Sequence, residues 1–525
     1  MLGTSNLNDH VYAILNKCTN LIHLKQLQAH LITLGHGQTD FYVFKLIRFC
    51  TITLNNLSYA CSIFNYITTP NTHIYTAMIT AYTSHSHHHS SVLLYREMVR
   101  KCSSKPNQFT FPIVLKSCPE IVKPFGIEMV HTQVEKCGFG QYPVVQTALL
   151  DAYSRFSSDI VIARRVFDEM HEKNVVSWTA MITGCTRVGD VGNAIALFDR
   201  VPREARDTPC WNSIIAGCAQ NGMYNDAISF FKRMVSGEAG GEGIKPNKVT
   251  LICALSPCGH CGMLQIGKCI HGYIYRNNVR LDSFILNALV DMYGKCGSLR
   301  EARRVFDKTK KESLTTWNSM INCLALHGEH EMAISFGEEM LLKNTVKPDC
   351  VTFVGLLSAC THGGLVAKGR QYFKMMIEEY GIKPEIQHYG CLIDLLGRAG
   401  CFEEAMELIS EMKIPPDEVV WGSLLNGCRV HKQMDLAELS VKKLLELDPK
   451  NGGYSAMLAN LYGEMGKWDE VRKVRTAMVD TNAYKLPGRS WIEVNNHVHQ
   501  FCSVDKSHPK TEEIYNILAC VVDSS

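Results

Sequence analysis

The chain has 525 residues, with 54 basic and 51 acidic side chains and a formal net charge of +3. Hydrophobic residues make up 46% and charged residues 20%, which excludes a disordered or collagen-like chain. No run of 18 apolar residues occurs, excluding a membrane-spanning helix, and the near-neutral balance leaves nucleic-acid binding by bulk charge without support.

Taken in chain order, the first ten residues contain no basic side chain, and neither a secretory signal nor an Arg-rich transit peptide is readable there. From about Asn8 a pattern sets in. Val175–Trp178 reads VVSW, Thr208–Trp211 TPCW, Leu314–Trp317 LTTW and Glu418–Trp421 EVVW. About ten residues after three of these tryptophans stands a glycine (Gly189, Gly222, Gly328), then an apolar-spaced segment centred on Ala194, Ala227 or Ala333. Several segments close on Lys-Pro turns, at Lys245-Pro246-Asn247, Lys347-Pro348-Asp349 and Lys383-Pro384-Glu385. Each repeat therefore reads as helix, Gly turn, helix, break. Tiling the pattern gives repeats at 8–40, 41–71, 72–107, 108–142, 143–174, 175–207, 208–247, 248–282, 283–313, 314–349, 350–385 and 386–417. The longest carries the Gly-rich insertion Ser236–Gly243, which lacks the GK[ST] of a phosphate loop and reads as a widened loop. A single helical hairpin cannot bury its own apolar face but stacked neighbours can, so the expected fold is an all-α superhelix.

The cysteines, 22 in all, follow the same register. Cys18, Cys118, Cys185, Cys218, Cys258 and Cys360 occupy the eleventh position of their repeats, and Cys428 the same place in the next segment. A thiol recurring at one helix address behaves as a small hydrophobe where helices approach closely, which favours packing over disulfides and a reducing compartment.

The alternation of repeats of about 35, 35–36 and 31–32 residues resembles the P, L and S motifs of plant pentatricopeptide repeat (PPR) proteins. YGKCGSLREARRVFD at the end of repeat 283–313, LSACTHGGLVAKG (Leu357–Gly369) and GKCIHGYI (Gly267–Ile274) carry the likeness. WGSLLNGCRVHKQMDLAE (Trp421–Glu438) and YSAMLANLYGEMGKWDEVRKVR (Tyr454–Arg475) resemble the family's E1 and E2 segments. PGRSWIEVNNHVHQF (Pro487–Phe501) and DKSHPKTEEIY (Asp505–Tyr515) resemble the start of its DYW cytidine-deaminase domain, an arrangement known as E+. The resemblance implies a right-handed α-solenoid. It divides the chain into a short segment 1–7, about twelve repeats over 8–417, a helical E1/E2 extension over 418–486 and an E+ segment over 487–525.

The family reads single-stranded RNA one base per repeat, and by resemblance the readers are the fifth and last residues of each P and S repeat. Thr76 with Asn107, and Thr147 with Asn174, resemble the adenine combination; Thr179 with Asp207 resembles the guanine one. Asn212 with Asn247 implies a pyrimidine, Asn287 with Ser313 cytosine, and Asn318 with Asp349 uracil. Pro112, Ile252 and Val354 of the L repeats cannot hydrogen-bond a base edge, while Lys45 with Asn71 and Gly390 with Asp417 depart from the usual pairs. The implied target reads A-N-A-G-Y-N-C-U-N-N, followed within about four nucleotides by an edited C. Against this stands the ordinary role of Asn and Thr as capping residues at a helix start. The aromatic residues at position four (Tyr75, Phe111, Trp178, Trp211, Trp317, Phe353, Tyr389, Trp421) read as core, not as base-stacking platforms.

A zinc deaminase requires HxE followed by PCxxC. Pro257-Cys258-Gly259-His260-Cys261 and His327-Gly328-Glu329 fit those letters in reversed order, at addresses the repeat already explains. A structural metal site from Cys253, Cys258, His260, Cys261, Cys269 and His271 is disfavoured, since His271 shares its repeat position with His131 and neighbours on one helix do not converge tetrahedrally. No catalytic centre, metal or other cofactor is expected on this chain. The resemblance implies a site-recognition factor for C-to-U editing of organellar transcripts. Its partners would be single-stranded RNA, a DYW-type deaminase acting in trans and accessory editing factors, with no membrane. The mitochondrion is the expected compartment and the chloroplast the alternative. Competing readings are an RNA stabilisation, splicing or translation factor, and a tetratricopeptide-like scaffold that binds peptides.

Overall fold

The computed structural model describes residues 11, 14–15, 18–101, 104–118, 125–156, 160–237, 244–309, 313–343, 346–480, 488–494, 497–502 and 506–522. The expected segment 1–7 and the insertion from 238 onward lie outside these residues. The chain divides into two compact bodies, Met1–Pro246 and Asn247–Ser525, and its described residues are mostly helical hairpins.

The first helix of most hairpins starts where an Asn, Asp or Ser closes the preceding segment, with Tyr142 and Glu385 at that place in two others. Asn71, Asn174, Asp207, Asn247, Asp282 and Asp417 each accept, through the side chain, a backbone N–H of the first turn of the helix that follows. That satisfies one of the donors a helix N-terminus leaves unpaired. The cap is thus the closing residue, whereas Thr and Asn at the fifth position sit one turn inside the helix. The capping role weighed for Thr and Asn at a helix start therefore falls on the closing residue of a pair, and Ser313 makes no side-chain cap. The hairpin bend demands left-handed backbone: Gly189 has φ +83° and Gly222 φ +74°, a conformation L side chains rarely adopt.

In the first body the first helices Thr72–Ser84, Thr110–Ser117, Pro143–Phe156, Val175–Arg187 and Thr208–Gln220 lie side by side as one layer. In the second body Lys248–His260, Ser283–Lys295, Leu314–Leu326, Cys350–Gly363, Ile386–Arg398 and Glu418–His431 do the same. Helices Met434–Leu447, Gly452–Glu464 and Trp468–Asp480 continue this second stack. The all-α class carries one exception among the described residues, an antiparallel strand pair, Arg489–Val494 with His497–Cys502, followed by the helix Thr511–Val522. Trp, Ile, Val and Phe are dense in both runs, and such side chains favour extended backbone.

One aromatic contact recurs along the core. A second-helix ring meets the position-four ring of the next repeat edge-on: Phe167 with Trp178 at 4.9 Å, Phe198 with Trp211 at 4.7 Å, and Phe306 with Trp317 at 5.0 Å between centroids. Phe64 with Tyr75 and Phe373 with Tyr389 repeat it at 5.4 and 5.6 Å. All eight position-four aromatics are buried, so the stripe is core. Such pairs add about 0.5–1.5 kcal/mol beyond their area burial. In repeats 108–142 and 248–282 the ring is replaced by His131 and His271. These hydrogen-bond the Tyr153 and Tyr293 hydroxyls of the following repeats at 3.0 and 2.8 Å.

The seven position-eleven cysteines are buried and lie in no disulfide. A Cβ built on Gly126 would stand 3.8 Å from the Cys118 sulfur, and one on Gly369 3.7 Å from the Cys360 Cβ, so the thiols do sit where two helices approach closely. Burial pushes the Cys118 and Cys218 thiols up to about 12, and those of Cys185, Cys360 and Cys428 to about 11.

Candidate nucleic-acid interface

Because the first helices form a layer within each body, the fifth residues of successive repeats recur along that layer. A groove of about 950 Å³ in the first body brings Thr147, Asn174 and Thr179 together, with Arg155 and Arg187 also on its walls. Val144 and Val176, the second residues of their repeats, line the same groove and are 67% and 62% exposed.

The polar chemistry differs from repeat to repeat. The Thr147 hydroxyl donates to the Pro143 carbonyl at 2.7 Å, which consumes its one hydrogen and leaves it an acceptor. Asn174 uses its oxygen to cap Ser177 at 2.8 Å. Thr76 likewise donates to the Thr72 carbonyl at 2.7 Å. It also meets the Thr110 hydroxyl at 2.8 Å, and Thr110 bonds the Asn107 side chain at 3.0 Å. The Thr179 hydroxyl is enclosed and has no oxygen or nitrogen partner; its neighbour is the buried thiol of Cys210, whose pKa burial raises to about 11 against a lowering contribution from Thr179. Asp207 caps Cys210 at 2.9 Å.

In the second body Asn318 and Asp349 are joined directly. The Asn318 amide nitrogen donates to Asp349 Oδ1 at 2.9 Å, and its oxygen accepts from Thr352 Oγ1 at 2.7 Å. Asn287 instead accepts from Ser319 Oγ at 2.8 Å, and Ser313 pairs with the Thr315 hydroxyl. No hydrogen bond joins Asn287 to Ser313. Asn212 lies on the helix Thr208–Gln220 of the first body, and Asn247 caps the helix Lys248–His260 of the second.

Two features escape the sequence argument. The second residue is an exposed apolar side chain in repeat after repeat, at Phe109, Val144, Val176, Val249, Phe284 and Val351. One exposed valine means nothing; recurrence at one address was the signal. Three of the S-type repeats also place a carboxylate four residues before a cation, in DAYSR, DMYGK and DLLGR. These form the i,i+4 ion pairs Asp151–Arg155 (2.9 Å), Asp291–Lys295 (2.9 Å) and Asp394–Arg398 (3.0 Å).

The candidate metal ligands do not converge. Cys258 is buried, Cys269 is exposed, and His271 is engaged with Tyr293. Its pKa is lowered by burial and by Lys308. Among the described residues no group of three His, Cys, Asp or Glu side chains could hold a metal ion.

Stacked helical hairpins define a repeat protein of the α-solenoid class. The PPR repeat family model matches at 73–103, 176–204, 209–237, 284–314, 315–345, 351–380 and 388–414, and the E motif model at 431–493. Pentatricopeptide repeat-containing protein At1g33350 of Arabidopsis thaliana is 53% identical over 98% of this chain and 96% of its own length. A second Arabidopsis thaliana relative, At1g59720, named as chloroplastic/mitochondrial, is 32% identical over 99% of this chain and 77% of its own. Maize PPR10 in its crystal structure shares the fold with a TM-score of 0.53 at 17% identity, over 88% of this chain and 79% of that one. Another structure of that maize protein contains an 18-nucleotide psaJ RNA element. The chain belongs to the pentatricopeptide repeat family and carries that family's E motif.

Proposed function

We propose that the protein binds single-stranded RNA along its first-helix layer and recognises sites of C-to-U editing in organellar transcripts, with the deaminase supplied in trans. The observation that carries the reading is the pairing of a polar fifth residue with a capping Asn or Asp at one recurring address, flanked by exposed apolar side chains. This matches the requirements of base recognition. A base needs apolar walls on its faces and polar groups on its edge.

The capping residue supplies a chemical logic for the assignments. Asn174 and Asn107 spend an oxygen on the cap and keep an amide N–H₂, a donor suited to the unprotonated ring nitrogen of adenine. Asp207 and Asp349 offer only acceptors, suited to the imino N–H of guanine and uracil. Arg155 and Arg187 on the groove wall supply positive charge for the phosphate backbone. The E motif region, and the hairpin and helix beyond it, serve as the docking region for the deaminase and accessory factors, and the mitochondrion is the proposed compartment.

Deep sequencing of organellar cDNA from a plant lacking the protein, beside wild type, tests this. Loss of C-to-U conversion at one or a few sites preceded by A-N-A-G-Y-N-C-U is expected. Intact editing with altered transcript ends or splicing would replace the editing role with an RNA-processing one. No change in any organellar RNA would leave the peptide-binding scaffold standing.

A further inference from the structure

The third residue of every repeat from 72 onward is buried, and at Thr110 and Thr352 it touches the fifth residue of the repeat before it. Ile74, Thr110, Val145, Ser177, Cys210 and Thr250 are each fully enclosed, as are Ile285, Thr316, Thr352, His388 and Val420. Where this residue is threonine, two repeats show what its hydroxyl does. Thr352 Oγ1 lies 2.7 Å from Asn318 Oδ1, accepts the Asp349 backbone N–H at 3.2 Å, and lies 3.1 Å from Asp349 Oδ1. It has one hydrogen to give. Asp349 Oδ1 already accepts from the Thr352 backbone N–H at 3.0 Å and from Asn318 Nδ2 at 2.9 Å, so the hydrogen goes to Asn318 Oδ1, the nearer acceptor.

That bond orients the amide. Asn318, 6% exposed, keeps its oxygen toward the buried threonine and one N–H toward Asp349. Its second N–H remains as a donor. In the Thr76 repeat the carbonyl of Thr72 takes the Thr76 hydrogen, so Thr110 is the donor of the pair. Thr76 is thereby left an acceptor only. The buried threonine thus fixes the orientation of the Asn318 amide and adds a hydrogen bond that holds the Thr76 oxygen in place, whereas Thr316 Oγ1 has no such partner.

We propose that the third residue of the following repeat is a specificity-determining positioning residue for the base-reading side chain above it, acting through Thr352 on Asn318 and through Thr110 on Thr76. The proposal rests on the RNA-reading function put forward above. Without its threonine, Asn318 loses one of two anchors and its amide turns more freely. Its oxygen then accepts from the cytosine amino group as readily as its nitrogen donates to a uracil carbonyl.

The test uses the full chain and synthetic single-stranded RNAs carrying ANAGYNCU, with each of the four bases in turn at the position assigned to Asn318. T352V is expected to lower the preference for uracil over cytosine by about 3- to 10-fold, the worth of one ordinary hydrogen bond. T352S, which keeps the hydroxyl, is expected to retain the preference. T110V is expected to act likewise at the adenine assigned to Thr76 and to leave the Asn318 position alone, which keeps the test decisive should T352V fold poorly. Equal weakening for all four bases by both valine variants would overturn the proposal, since a merely structural threonine does that. N318T separates the two levels. If it changes the preferred base while T352V and T110V do not, the positioning role is wrong and the reading of RNA stands. If N318T leaves base preference unmoved, both fall together.

Discussion

Thr76, Thr147 and Thr179 carry the same side chain at the same repeat address, yet their hydroxyl hydrogens differ in destination. The first two give theirs to the carbonyl four residues back, and the third has no such bond. An acceptor-only hydroxyl suits the amino group of adenine, whereas at Thr179 the guanine assignment rests on its partner Asp207, which offers only acceptors. T179N should therefore move the preference at one RNA position from guanine toward a pyrimidine, leaving neighbouring positions unchanged, as competition binding with single-base RNA variants would read. The buried thiols make a second residue-scale prediction. Their folded pKa values lie above the ordinary thiol value of about 9, reaching about 12 at Cys118 and Cys218. The folded state therefore holds these protons more tightly than the unfolded one. Their contribution to stability is complete below pH 9 and is lost as pH rises through 11 to 12. Chemical denaturation midpoints should fall across that window, and at pH 8 alkylation should mark exposed Cys269 well before Cys118 or Cys218.

At the scale of the helix and its neighbours, the fourth residue and the second divide the work between core and surface. Trp317 is fully buried against Phe306 and Phe336, so W317A should destabilise the stack by about 3–5 kcal/mol, seen as an earlier denaturation transition. Val176 lies exposed on the groove wall; V176S should leave the melting temperature nearly unchanged and weaken RNA binding by about 1 kcal/mol, the value of roughly one buried methylene. The opposite assignment, with the tryptophans as base platforms, would reverse both results. The core reading of the aromatics was legible because Trp, Phe and Tyr recur at one address in front of an apolar pair. The second-position stripe was less so, because its valines belong equally well to a core until tertiary packing leaves them outside.

For the molecule as a whole, a net charge of +3 over 525 residues provides no general attraction for RNA, so affinity has to be assembled repeat by repeat. Removing Pro487–Ser525 should abolish editing while RNA affinity persists, if the carboxyl-terminal region recruits the deaminase. Loss of RNA binding on that truncation would contradict the division of labour. The hairpin Arg489–Cys502 was read in the sequence only as part of the E+ likeness. Its strands depend on pairing with each other, a contact that a helical repeat pattern cannot foretell. By itself the sequence determined the hairpin architecture, the addresses of the cysteines, and the core role of the aromatics, because a repeat displays each local environment about a dozen times and noise averages out. Only the tertiary structure decided where each hydrogen goes. Whether Thr352 holds Asn318, whether the Thr179 hydroxyl lies against the Cys210 thiol, and whether Asn287 turns to Ser319 depend on side chains some 30 residues apart meeting across helices. Hydrogen bonding is directional and short-ranged, so spacing along the chain does not reveal it.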